Sequence, residues 1–202
     1  MAINAQSTQD GAWSLVKENG KTRVYTRSNK DSKIKEVRIR TQMNVDFEHF
    51  IKVLSDVPKY NKWVYKGRNA KLLDQINDNE MYYFMESDFP FPLSDRDMVI
   101  HSRQWRDPVS KTYNSKSVAV PHYLPKDKKM VRLPMLEAYW KISPRPNGGI
   151  EIDYQALADP GGNLPAWLIN LAITQGPIKT MEQLEALALE VAPASSAVGD
   201  DK

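Results

Sequence analysis

Hydrophobic and polar positions along most of the chain recur with a period near two, and only beyond residue 160 does the period lengthen. Residues 22–27 and 34–43 combine β-branched side chains with partial alternation and predict strands. Phe47, Phe50, Ile51 and Leu54 then fall at helical spacing behind Asp46, which reads as an N-cap, and Pro58 ends that helix. A run of strands follows at 70–76, 81–87, 98–105, 113–120, 130–142 and 150–157. Asn77-Asp78-Asn79 and Asn147-Gly148-Gly149 read as hairpin turns, because Asn and Gly tolerate the positive φ such turns require. Short turns make antiparallel pairing the default.

Past Asp159-Pro160-Gly161-Gly162 the pattern changes. Trp167, Leu168, Leu171, Ile178, Met181, Leu184, Ala188 and Val191 recur at steps of three and four. One long amphipathic helix over 164–191 is predicted, capped by Asn163, with Pro165 in its first turn and a kink at Gly176-Pro177. A C-terminal helix over a meandering antiparallel sheet is an α+β architecture. Residues 1–10 and 192–202 carry no periodicity and read as flexible tails around one domain, 11–191. Nothing between them marks a repeat or a linker.

Composition narrows the function classes. The 202 residues are 41% hydrophobic, enough for one well-buried core. With 28 Lys+Arg against 25 Asp+Glu the net charge is only +3, too even for a protein built around a basic nucleic-acid stripe. The absence of cysteine removes disulfide frameworks, thiolate metal sites and thiol catalysis, and leaves the compartment open. The longest apolar stretch, 164–173, is far short of the ~20 residues that span a bilayer and contains Asn170. Residues 1–10 show no basic or apolar leader pattern. A soluble protein is expected, in the cytoplasm or, where a leader has been removed, in the periplasm or outside the cell.

Candidate chemistry is sparse. His49, His101 and His122 are dispersed and match no metal spacing, and no phosphate loop or nucleophile elbow occurs. Neither a metal site, a cofactor site nor a catalytic residue is assigned. Asp95 and Asp97 flank Arg96 and fall on one strand face, as an acid/base pair or as ion-pair partners of Arg96 or Arg132. Alternation also lines up Met81, Tyr83 and Met85, then Met98, Ile100 and Ser102, then Trp140 and Ile142, then Ile152 and Tyr154. Such a surface suits a bulky apolar ligand with few hydroxyls, and suits an ordinary filled core equally well. In the loop 104–112, Trp105, Pro108 and Val109 stand among Arg103, Arg106 and Lys111, a composition that fits a membrane headgroup boundary. Phe89-Pro90-Phe91-Pro92-Leu93 is a second apolar loop, read as folding back onto the body, and Lys126-Asp127-Lys128-Lys129 as a solvated turn.

An ordered set of short segments resembles the START domains, the steroidogenic-acute-regulatory-protein-related lipid-transfer family. These are Trp13 with Gly20-Lys21-Thr22-Arg23-Val24-Tyr25, Tyr60-Asn61-Lys62-Trp63, Pro92-Leu93-Ser94-Asp95-Arg96-Asp97, Trp140-Lys141-Ile142-Ser143-Pro144 and the stretch from Asp159 to Trp167. The resemblance covers residues 12–190 and implies a helix-grip fold: a curved antiparallel sheet around a long C-terminal helix, with a hydrophobic tunnel between. It implies a tunnel lined by Met81, Tyr83, Met85, Met98, Ile100, Ser102, Trp140, Tyr154, Trp167, Leu168, Leu171 and Gln175. It also makes the loop of Trp105, Arg106, Pro108 and Val109 the entrance, beside Leu164 and Trp167 at the start of the last helix. Some sterol-carrying relatives place an acid and an arginine in the tunnel, and the corresponding positions here are Tyr83 and Ser102, both uncharged. The implied function is non-enzymatic binding and transfer of a phospholipid, sterol, fatty acyl or isoprenoid by a monomer visiting membranes transiently, without nucleic acid. The alternatives are a helix-grip enzyme of aromatase/cyclase or hydrolase type, drawing on Asp95, Asp97, Tyr83 or His101, and a lipid sensor read by a protein partner.

Overall fold

A computed structural model describes residues 11–29, 32–162 and 164–190. Three strands open the fold: β1 (Ser14–Asn19), β2 (Thr22–Asn29) and β3 (Ser32–Met43). The chain leaves the sheet through α1 (Phe47–Ser55), a 3₁₀ turn (Val57–Lys59) and the single turn α2 (Tyr60–Trp63). It re-enters as β4 (Gly67–Asn77), β5 (Glu80–Ser87), β6 (Arg96–Arg106), β7 (Tyr113–Ala119), the short β8 (Val131–Arg132), β9 (Met135–Pro144) and β10 (Ile150–Asp159). Two helices close it, α3 (Ala166–Thr174) and α4 (Gly176–Glu190).

The strand order is β1-β2-β3-β10-β9-β7-β6-β5-β4, every neighbour antiparallel, with β8 alone pairing in parallel with the start of β6. Because α1 and α2 carry the chain from the middle of the sheet to its far edge, the remaining strands walk back until β10 meets β3, Tyr154 opposite Ile39. Packing then forces the sheet to bend. α4 touches β2, α2 touches both α4 and β4, and α1 touches α4. In a flat sheet β2 and β4 would stand seven inter-strand steps apart, about 34 Å at ~4.8 Å per step. Two helices of ~10–12 Å diameter bridge that distance only if the sheet curls around them. Three register shifts in β4, with Asn69 at φ 51°, supply bulges that bend this edge strand.

The core lies in the grip. Phe50, Met43, Ile142, Ile150, Ile152, Met181 and Leu184 are fully buried and join β3, α1, β9, β10 and α4. Asp46 caps α1 as predicted, its carboxylate accepting from the His49 amide at 2.8 Å. The hairpin β9–β10 needs glycine at its turn, since a Cβ on Gly149 would sit 2.4 Å from the Met43 carbonyl and φ there is +74°.

Four differences from the sequence reading have physical causes. β1 is exposed at every position, so no alternation announces it. α2 is too short to show a period. The strand predicted over 130–142 breaks at Leu133-Pro134, where proline offers no ladder donor. The single kinked helix is two helices, parted at Gln175 because Pro177 cannot donate to the carbonyl one turn back. The expected tails and the Asn163 cap lie outside the described residues.

Candidate functional site

Between the bent sheet and the α3–α4 pair lies a cavity of about 380 Å³. Its sheet wall is Ile39, Tyr83, Met85, Met98, Ser117, Ala138, Trp140 and Tyr154. Its opposite wall is Tyr60 and Trp63 of α2, with Leu168, Ala172, Pro177, Thr180 and Met181 from the two closing helices. The lining residues that are exposed (Lys66, Asp88, Pro90 and Ala172) mark where it opens. The mouth therefore lies between the β5–β6 loop and the break between α3 and α4.

Inward, the cavity is followed by a hollow of about 40 Å³. Tyr60, Trp63, Tyr83, Ser117 and Trp140 border both. The inner hollow adds Leu54, Met81, Ser102, Gln104, Tyr113 and Ser115, none of them charged. Its polar groups are linked. Ser117 stands beside the Tyr83 phenol, and its Oγ donates to Ser102 Oγ at 3.1 Å, which lies 3.3 Å from Ser115 Oγ. Beside them the Tyr113 hydroxyl donates to Gln104 Oε1, which also accepts from Ser55 Oγ at 3.3 Å. Burial pushes the Tyr154 phenol up to about 12 and Tyr83 well above its ordinary value, so both stay protonated at neutral pH. Trp63 is 5% exposed, and its buried Nε1–H has no acceptor among the described residues.

The rim is held by one arginine. Arg96, 3% exposed, donates to the carbonyls of Ser94, Pro160 (3.1 Å) and Gly161 (3.0 Å), and its guanidinium lies 4.1 Å from the Phe89 ring centroid. It thereby ties the β5–β6 loop to the strap leading into α3. Asp95 steadies the same loop, accepting from the Phe89 amide and from Arg68, each at 2.8 Å. Those two donors hold its carboxyl below the usual range.

Of the residues expected in the tunnel, Tyr83, Met85, Met98, Trp140, Tyr154 and Leu168 line the cavity, and Met81 and Ser102 line the inner hollow. Ile100 is fully buried yet lines neither, as are Ile142 and Ile152 in the packed core. Gln175 is exposed at the helix break and lines neither. The side chains of Trp167 and Leu171 lie outside the described residues. Sequence reasoning passed over Tyr60 and Trp63 as lining groups, although their three-residue spacing on a turn was a signal. It also passed over the Phe89-Pro90 rim.

The loop expected at the entrance lies away from this mouth. Arg96 begins β6 at the mouth, while Trp105 lies nine residues along the same strand, about 30 Å away at ~3.3 Å per residue. There Trp105 packs against Tyr139, ring centroids 6.1 Å apart, and Arg106 binds Glu48 of α1 through contacts of 2.6 and 2.7 Å. Pro108 and Val109 extend that far loop, whereas Leu164 stays with α3 at the opposite pole. The apolar loop at the mouth is the other one. Phe89 packs beneath Arg96, and Phe91 is 96% exposed rather than folded back.

The remaining candidates for chemistry are engaged elsewhere. Asp97 and Arg132, each 2% exposed at the side chain, form a buried pair through contacts of 2.9 and 2.8 Å. His101 bonds Glu80 at 2.7 Å and stacks on Tyr82, away from the cavity. Among the described residues no three metal-ligating side chains converge, and no helix is long and apolar enough to cross a membrane.

Comparisons with known proteins identify the fold. A START domain family model matches residues 3–188. An uncharacterised protein of Pseudomonas aeruginosa is 31% identical over 180 residues, covering 87% of this chain and 86% of that protein. The crystal structure of a STAR-related lipid transfer protein fragment from Xanthomonas axonopodis superposes with a TM-score of 0.80 at 30% identity, covering 89% of this chain and 99% of that one. Mouse phosphatidylcholine transfer protein is 31% identical over 111 residues, 52% of this chain and 51% of that protein, so the match spans about half of each.

Proposed function

The chain belongs to the START domain family, and on that premise we propose that it binds a lipid in its interior and carries it between membranes. The observation that carries the reading is the apolar cavity of about 380 Å³, walled by Met85, Met98, Trp140 and Leu168 and open beside the Phe89-Pro90 rim. Hydrocarbon moved from water into such a wall is stabilised by roughly 0.8 kcal/mol per CH₂, enough to offset extraction from a bilayer. Phe91 (96% exposed) and Ile169 (42%) flank the mouth and suit it for contact with a membrane. The volume is at the low end of the ~300–1,000 Å³ typical of ligand pockets. One acyl chain or one compact lipid fits the cavity as it stands, and a two-chain phospholipid requires α3 to move outward.

The proposal contains no chemical step. Asp95 and Asp97, the acids an enzymatic reading would use, are bound to Arg68 and Arg132 and line neither hollow. Native mass spectrometry of the purified protein is expected to show a non-covalently bound lipid. Vesicle-to-vesicle transfer of fluorescent phosphatidylcholine, sterol and fatty acid will be accelerated for at least one cargo. Phe91→Asp slows that transfer about fivefold or more, and Trp105→Ala leaves it within twofold. An empty protein that accelerates no transfer, or one that converts its ligand to product, would overturn the reading.

A further inference from the structure

Among the described residues two large apolar side chains stand almost fully in the open, Phe91 at 96% and Val109 at 90% exposure, and the next is Leu189 at 55%. Each is at the tip of a loop, and the two loops leave opposite ends of one strand, β6. Phe91 belongs to the mouth. Val109 lines neither hollow, and its loop is the apolar, cation-flanked segment that the route of the lipid leaves unused.

The turn at 107–112 holds its tip away from the sheet. The Asp107 carboxylate accepts from the amides of Val109 at 2.9 Å and Ser110 at 2.7 Å. The Lys111 amide donates to the Asp107 carbonyl at 3.0 Å, and the Asp107 amide donates to the Thr112 carbonyl at 2.9 Å. Those bonds use up the amides of the turn, and Pro108 fixes its own φ. Lys111 closes the turn in the left-handed region, φ 58°, where glycine would cost less. A lysine there sets an ammonium group two residues from Val109. Behind the tip stands Trp105, 45% exposed and backed by Tyr139.

Charge at this end leans positive. Glu48 is taken by Arg106, and the Asp107 carboxylate by backbone amides. Lys111, Lys141 and Arg145 have no ion pair among the described residues, and Asp78 in the β4–β5 turn is the acid set against them. An apolar point ringed by cations, with an indole behind it, matches the boundary of an anionic bilayer. The point is one turn wide, far less than the ~800 Å² per partner of a stable protein interface. A membrane therefore fits it better than a second protein does.

We infer that the loop around Val109 is a second membrane contact, selective for anionic bilayers, and that the protein bridges two membranes with the cavity mouth on one and this loop on the other. The nine residues from Arg96 to Trp105 set the contacts about 30 Å apart at ~3.3 Å per residue. The mouth half rests on the membrane contact proposed above; the far half stands on the loop alone. Cargo still passes through the mouth only, so the far loop selects where transfer takes place.

The test uses vesicles of phosphatidylcholine with about a third phosphatidylglycerol, read by flotation for binding and by light scattering for clustering. Wild-type protein is expected to float with them and to cluster them. Pure phosphatidylcholine, or about 0.5 M salt, lowers clustering about fivefold or more. Val109→Asp with Lys111→Glu abolishes clustering, keeps flotation within about threefold, and leaves transfer between dilute neutral vesicles within twofold. Phe91→Asp also abolishes clustering and still floats, now through the far loop. All three substituted positions are exposed, and unchanged melting temperatures check that the variants fold. Wild type that floats without clustering, Phe91→Asp that does not float, clustering that ignores lipid charge, or a far-loop variant that clusters as wild type does overturns the inference. Accelerated transfer by the same preparation leaves lipid binding standing in each of those cases. Wild type that neither floats nor transfers takes the mouth contact and the lipid-transfer reading down as well.

Discussion

Asp97 shows how much a single residue's role depends on which partner the fold supplies. Alternation offered it Arg96 or Arg132 as an ion-pair partner, or Asp95 as an acid/base companion. Arg132 takes it, with both side chains 2% exposed, while the remaining donors of Arg132 hold the carbonyls of Pro121, Leu124 and Pro125. One guanidinium thus neutralises the acid and pins the loop after β7. Asp97→Asn leaves that guanidinium buried and unpaired, a change that costs about 3–5 kcal/mol. Urea denaturation will show a lower midpoint with an unchanged slope. Arg96, adjacent in sequence, donates to no carboxylate among the described residues and spends its donors on backbone carbonyls, a role that residue type alone does not announce.

Among elements, the strands were legible and the helical closure only partly so. β2, β3, β5, β6, β7 and β10 follow from alternation within a residue or two at most ends, because a sheet with one buried face writes its period into the sequence. β1 buries nothing and α2 spans one turn, so neither leaves a period to read. The helix break at Gln175 was visible as Gly176-Pro177, yet whether it kinks or parts the helix depends on what packs on each side. α3 is fastened at its start through Arg96, whose bonds to Pro160 and Gly161 continue to Ser94 on the β5–β6 loop. Arg96→Met keeps the stem and removes the donors, leaving three carbonyls to find other partners. A loss of about 2–4 kcal/mol follows at the usual ~1–3 kcal/mol per unsatisfied buried group, softened where water enters. Hydrogen exchange is expected to quicken at Phe89 and Leu168 together, since the latch joins loop and helix; faster exchange at only one of them would contradict the coupling.

For the whole molecule, the cavity sets function against stability. Ala138 lies on β9 opposite Ser117 and Ala156, is 4% exposed, and faces the empty volume. Ala138→Leu places hydrocarbon where none is present, so the melting temperature is expected to hold or rise while lipid affinity falls about tenfold. Ile142→Val, four residues along the same strand in the filled core, makes the opposite trade: about 0.5–1.5 kcal/mol less stable, with lipid affinity unchanged. Thermal melts and lipid titrations on the two variants give a direct comparison, and parallel losses in both would show that the cavity is not a binding space. The mouth belongs to this scale as well. Two loops carry similar apolar composition, one around Trp105 and one around Phe91, and local sequence does not rank them. Strand pairing places them at opposite ends of β6, and Arg96 ties the Phe91 end to the strap leading into α3.

Side-chain period, turn chemistry and the Gly176-Pro177 break are local properties, and by themselves they determined an α+β chain with an antiparallel sheet, an apolar inner face and a C-terminal helical closure. The resemblance of short ordered motifs added the family. What the tertiary structure alone decided is where atoms are missing. A cavity is the remainder left when side chains spread across the chain, Ile39, Tyr83, Trp140, Leu168 and Met181 among them, do not fill the space they enclose. Alternation marks a residue as inward-facing but not whether another stands against it, so Ile100 and Ile142 read the same as Met98 and Tyr83 until the sheet had curled.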